Sequence, residues 1–138
     1  MNLSSEPFAH LEINVGSLIE IENHAVARRR LVPLLAGTVS GPIGSGVVLP
    51  GGSDWQWVDV NGRISLDAHY VLELDTGERV EVESSGIRVV RADGAVYFRT
   101  GIRLTAPPHR NDINDFLFLS VGTRTDDRVI LDVFRCED

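Results

Sequence analysis

The sequence predicts an all-β protein, and three observations carry that expectation. Apolar residues recur with a period of two along most of the chain. Nowhere do they hold the i, i+3, i+4, i+7 spacing over a full helix length. Short extended runs are separated by Asn61-Gly62, Asp75-Thr76-Gly77 and Ala92-Asp93-Gly94, residue types that favour tight reversals. Runs of this kind close into a sandwich or a barrel.

The first run, Phe8 to His24, sets Leu11, Ile13 and Val15 on one face and Glu12 and Asn14 on the other, with Gly16 as a bulge or bend. A second run from Arg30 to Val39 is broken by Pro33, which suits an edge or a bulge. Residues 41–46, Gly-Pro-Ile-Gly-Ser-Gly, form a loop that no helix follows. Residues 86–91 and 95–104 make a later pair of strands. In the second of these, Val96, Phe98, Thr100 and Ile102 share one face and Tyr97, Arg99 and Arg103 the other. Ala106-Pro107-Pro108-His109 forces an irregular connection, and Asn111 to Phe116 has room for a single helical turn. Phe116 to Val121 is apolar on both faces, as is Val129 to Phe134 apart from Asp132. Strands with two apolar faces need a cover, and a homo-oligomer, a dimer, is the economical one.

Composition excludes several kinds of chemistry. A chain of 138 residues fits one domain, 1–138. Its net charge of −7 argues against nucleic acid or an anionic membrane as partner. The amino terminus lacks a signal-peptide pattern and no run approaches the length of a bilayer span, so a cytoplasmic location is expected. All basic side chains are arginine. Without lysine there is neither Schiff-base catalysis nor a P-loop. Cys136 stands alone, and His10, His24, His69 and His109 are isolated, so no metal site and no cofactor are expected. Arg28-Arg29-Arg30 reads either as a solvated strand edge or as an anion clamp.

Turn geometry then places side chains. Asn61-Gly62 signals a two-residue hairpin loop. That register sets Trp57 opposite Leu66, Gln56 opposite Asp67 and Asp54 opposite His69. A three-residue loop at Asp75-Thr76-Gly77 sets Leu72 opposite Val80, Tyr70 opposite Val82 and Glu73 opposite Arg79, which keeps apolar with apolar. One face would carry Trp55, Trp57, Leu66, Ala68, Tyr70, Leu72, Val80 and Val82. The other would carry the rows Asp54–His69–Glu83 and Gln56–Asp67–Ser85. Such a polar face is either a wet outer surface or a proton-handling cluster. The aromatic face is either core or the lining of a ligand cavity.

At Arg28-Arg29-Arg30, residues 37–42 (Gly-Thr-Val-Ser-Gly-Pro), residues 49–56 (Leu-Pro-Gly-Gly-Ser-Asp-Trp-Gln), residues 66–70 (Leu-Asp-Ala-His-Tyr) and residues 97–100 (Tyr-Phe-Arg-Thr), the chain resembles the bacterial and fungal domain-of-unknown-function family numbered 3237. The resemblance covers nearly the whole chain. It implies a small antiparallel β-barrel without an established cofactor, and by position it singles out Asp54, Trp55, Gln56, Asp67, Tyr70 and Arg99. The family is more usually arginine at the position of His69, and residues 111–115 match its pattern only loosely.

Three functions follow as expectations. The first is a cofactor-independent isomerase, cyclase or lyase, with Asp54, Asp67 and His69 handling the proton and Arg99 and Tyr97 stabilising negative charge. The second is a carrier barrel for an unknown small molecule, lined by Trp55, Gln56, Trp57, Tyr70 and Glu83. The third is an oligomeric interaction module without a ligand.

Overall fold

A computed structural model describes residues 1–23 and 27–138, so His24 at the end of the first extended run lies outside the described residues. The strands are β1 (Asn2–Leu3), β2 (Ala9–Val15), β3 (Ile19–Asn23), β4 (Ala27–Ser40), β5 (Gly46–Val48), β6 (Gly52–Asp59), β7 (Ile64–Leu74), β8 (Arg79–Val90), β9 (Val96–Thr105), β10 (Phe118–Arg124) and β11 (Arg128–Glu137). The single helical turn, α1, is Asn111–Asn114, within the stretch where the sequence allows one. Among the described residues no helix is long and apolar enough to cross a membrane.

All pairings are antiparallel, and β11 pairs with β2 to close an eight-stranded barrel. β5 and β6 together fill one place in it, because both pair with β4 and β7 on either side of residues 49–51. The long β4 is covered along one edge first by β2 and then by β3. Pro33 sits at that handover, where its carbonyl accepts the Gly16 N–H at 2.9 Å. A proline lacks an N–H to donate, so the end of one ladder is where it costs least.

Three hairpins share one turn. The loops Val60-Asn61-Gly62, Asp75-Thr76-Gly77 and Ala92-Asp93-Gly94 each end on a glycine with positive φ, at 84°, 90° and 88°. The glycine N–H groups donate back to the carbonyls of Asp59, Leu74 and Arg91 at 3.0, 2.8 and 2.9 Å. No other residue type among those described has positive φ, so Asn61 is not part of a two-residue loop of the expected kind, which needs positive φ at both centres. Asp59 explains the difference. Its Oδ1 accepts the N–H groups of Asn61 at 2.9 Å and Arg63 at 3.0 Å, fixing a wider turn before the glycine.

The β7–β8 register is the expected one, with Leu72 opposite Val80, Tyr70 opposite Val82 and Glu73 opposite Arg79. The β6–β7 register is displaced by one residue: Trp57 pairs with Ser65, Gln56 with Leu66 and Asp54 with Ala68. A slip of one exchanges the two faces of a strand. Asp54 and Gln56 therefore point inward, and Trp55 and Trp57 point outward at 40% and 42% exposure. Of the expected rows, His69–Glu83 and Asp67–Ser85 do pair, on the outer face, but Asp54 and Gln56 do not join them.

The core runs the length of the barrel through Leu11, Ile13, Leu34, Val48, Leu72, Val80, Val82, Ile102 and Leu131. One end is stoppered. Ile43 from the loop before β5 and Ile113 from α1 are fully buried there, and Phe8 packs on Phe118 with ring centroids 5.3 Å apart. Arg110 staples this end through Glu78 at 3.1 Å, Asp112 at 3.0 Å and the carbonyl of Ile43 at 3.0 Å.

Candidate functional site

The inner wall is apolar except for a small set of polar side chains, and these define the site. Asp54 and Gln56 occupy successive inward positions of β6 and are both buried. The Gln56 amide donates to Asp54 Oδ2 at 2.8 Å, and the Arg30 Nε–H donates to Gln56 Oε1 at 2.9 Å. The other Asp54 oxygen accepts the Asp67 backbone N–H at 3.1 Å. Arg30 thus fixes the orientation of the Gln56 amide, which in turn presents an N–H to the acid. Burial raises the pKa of Asp54, and these hydrogen bonds and the charge of Arg88 only partly oppose it.

A cavity of about 30 Å³ lies beside Asp54, lined by Tyr70, Ser84, Phe98 and Thr100 among aliphatic side chains. The Tyr70 hydroxyl is buried and has no hydrogen-bond partner among the described residues. Burial raises its pKa, and the negative charge of Asp54 adds to the effect, so the phenol is held neutral. Across the cavity the Ser84 hydroxyl donates to Thr100 Oγ1 at 2.9 Å, and Thr100 in turn bonds Ser120.

The barrel end opposite the stopper holds a hollow of about 320 Å³, lined by Ile64, Arg88, Val90, Val96, Gly122 and Arg124. Arg88 and Arg124 continue the inward rows of β8 and β10, and Arg30 that of β4. Phe98 separates hollow from cavity: its ring lines the cavity and packs on Gly122, where a Cβ would meet it at 2.7 Å. The Arg88 guanidinium lies over the same ring, 5.7 Å from its centroid.

Of the residues the sequence singles out, the fold brings Asp54, Gln56, Tyr70 and, from the arginine triplet, Arg30 to the interior and leaves the others outside. Asp67 and Glu83 are exposed on the outer face. His69, also exposed, pairs with Glu81 at 2.6 Å. Trp55 and Trp57 flank Arg29, whose guanidinium lies 5.1 and 4.8 Å from their rings. Arg99 stacks on Tyr97 at 4.9 Å, and both line an outer groove with Leu119 and Phe134. The arginine triplet divides: Arg29 turns outward, Arg30 inward to Gln56, and Arg28 lies 3.9 Å from Glu20. Among the described residues, His69, Glu81 and Glu83 are the one group whose ligand atoms could reach a single cation, and all three face solvent. Sequence reasoning missed Ser84, Thr100, Ser120, Arg88 and Arg124. The available signal was a polar residue at an inward position of an otherwise apolar strand, readable only once registers are known.

Residues 3–136 match the family described as "Protein of unknown function (DUF3237)". A UPF0311 protein of Rhodopseudomonas palustris is 37% identical over 133 residues, covering 86% of this chain and 87% of its own. The crystal structure of a protein with unknown function from Clostridium acetobutylicum superposes with a TM-score of 0.92 at 32% identity, covering 99% of this chain and 100% of the other. At 17% identity and a TM-score of 0.70, the fold extends to a crystal structure described as an enzyme from Penicillium herquei, with 94% and 96% of the two chains covered.

Proposed function

Because the chain belongs to the DUF3237 family, whose description carries no reaction, we propose a function from the barrel interior: cofactor-independent acid–base catalysis on a small molecule, as an isomerase, cyclase or lyase. The observation that supports it is Asp54, a buried carboxylate of raised proton affinity held by an Arg30–Gln56 relay beside the unpartnered hydroxyl of Tyr70. A carboxyl whose pKa moves towards the working pH is suited to taking and returning a proton. A neutral phenol facing the same space donates a hydrogen bond to an oxygen on which negative charge develops. In this assignment Asp54 carries the proton, Tyr70 stabilises charge, and Gln56 and Arg30 position Asp54.

The inner cavity has room for a water or two at most. The ligand's body therefore occupies the hollow, and its reacting end reaches past Phe98. That the fold also hosts a protein described as an enzyme is compatible with this proposal at the level of fold alone. A metabolite panel screened by thermal shift identifies ligands, and each stabiliser is then followed by NMR in D2O with wild type and Asp54→Asn. Deuterium incorporation or product formation by wild type, lost in the Asn variant with binding retained, is the expected result. Stabilisers that bind equally to both proteins and never react would make the barrel a carrier.

A further inference from the structure

Building on the acid–base assignment of the interior, we infer that the ligand is a carboxylate on an apolar body, its anionic group held at the mouth by Arg88 and Arg124 with Arg30 behind them. Arg88 and Arg124 line one hollow, and the charges of Arg124 and Arg30 disfavour that of Arg88, as those of Arg28 and Arg124 disfavour that of Arg30. Arg30 and Arg88 also feel the charge of Asp54, and Arg30 that of Glu20, in a chain whose net charge is −7. None of the three forms a salt bridge with a described carboxylate, a lack they share with the outward Arg29, Arg91, Arg99 and Arg103, whereas Arg28, Arg63, Arg79, Arg110, Arg128 and Arg135 all form one. Like charges gathered in a half-buried hollow repel one another, and a bound anion removes that cost.

The rest of the hollow decides the kind of anion. Ile64, Val89, Val90 and Val96 supply an apolar rim that suits a hydrocarbon or aromatic body. The planar guanidinium fork matches a carboxylate in two parallel hydrogen bonds. A phosphate dianion meets neither a helix terminus nor a glycine nest here, and Asp54 lies behind the arginines to repel its second charge.

The test compares benzoate, neutral benzamide and inorganic phosphate on the intact protein at low salt, by NMR titration of the backbone amides around Arg88 and Arg124. Benzoate should bind at least about tenfold more tightly than benzamide, the value of one charge-assisted hydrogen-bond pair, and phosphate should bind no better than benzamide. Arg124→Gln and Arg88→Gln should each weaken benzoate by about tenfold. Arg88→Lys, which keeps the charge and lessens any risk to folding, should still weaken it because the fork is lost. Equal binding of benzoate and benzamide, preferred binding of phosphate, or benzoate affinity unchanged in the arginine variants would each overturn the inference. Its failure is separable from that of the catalytic assignment. Neutral ligands turned over in an Asp54-dependent way would remove the clamp alone, while clamped carboxylates never turned over would remove the chemistry alone.

Discussion

Gly122→Ala probes the contact that divides the mouth from the interior. The added methyl would lie 2.7 to 2.8 Å from three atoms of the Phe98 ring, well inside van der Waals contact, and the ring is buried. The three atoms nearest the added methyl all belong to that ring, so the ring must yield first. It has somewhere to go, since the cavity of about 30 Å³ on its other side is comparable to a methyl group. Overpacking a tight core costs about 1–3 kcal/mol, and this outlet places the substitution near 1 kcal/mol. For a domain of this size that is a fall of roughly 3–5 °C in Tm. Gly86→Ala is the contrasting control, because its Cβ would lie 2.0 Å from the Arg99 carbonyl oxygen, which no side-chain rotation relieves. Urea unfolding with a fitted slope and midpoint measures both. A Gly122→Ala protein as stable as wild type, or one as damaged as Gly86→Ala, would refute the account of Phe98 as a movable partition. The displaced ring would also fill the space before Tyr70 and Asp54, so ligand turnover should fall further than stability.

Three other outcomes follow from the geometry. Trp55 and Trp57 are half-exposed beside Arg29, so their fluorescence should be quenched strongly by iodide and more weakly by caesium; a blue-shifted emission resistant to both would return them to the core. Asp54 has a raised native pKa, so the stability linked to its protonated form is fully present below its ordinary value of 3.8 and lost as pH rises through the native value. Asp54→Asn should therefore gain on wild type over that window in pH-dependent unfolding and run parallel above it; a constant difference would contradict the shift. The outward row Leu117, Leu119 and Val121 is exposed beside the groove of Tyr97 and Phe134, and we expect it to join two copies. Light scattering should give a dimer mass that Leu119→Asp reduces to a monomer, and a monomeric wild type at micromolar concentration would dispose of that expectation.

What the sequence carried about the fold was chiefly what depends on neighbours in the chain. Alternation identified Ala9–Val15 and Val96–Thr105 as strands with the correct inner faces, and the turn at Asp75-Thr76-Gly77 set its own register. The turn at Asn61-Gly62 did not, because a side chain just outside the dipeptide, Asp59, decided the loop length. From that one residue the outer and inner faces of β6 were exchanged, and Asp54 was set opposite His69 instead of Ala68. Asp54, Gln56 and Tyr70 were nevertheless named as candidates and do share the interior. Arg88 and Arg124 could not be found in this way, since the hollow they line exists only where β8, β10 and the β6–β7 loop meet at one end of the barrel.

Among the described residues, Ile43 and Ile113 cork one end of the barrel, and the hollow at the other end is the doorway the proposed ligand would use. Whatever occupies it must back out before a successor can come in, so two molecules can neither pass one another nor file through. Departure past Arg88 and Phe98, whose guanidinium and ring centre lie 5.7 Å apart, would then set the residence time of the proposed guest. On the proposed assignment, a spent molecule that kept its negative group would compete for the same berth as a fresh one.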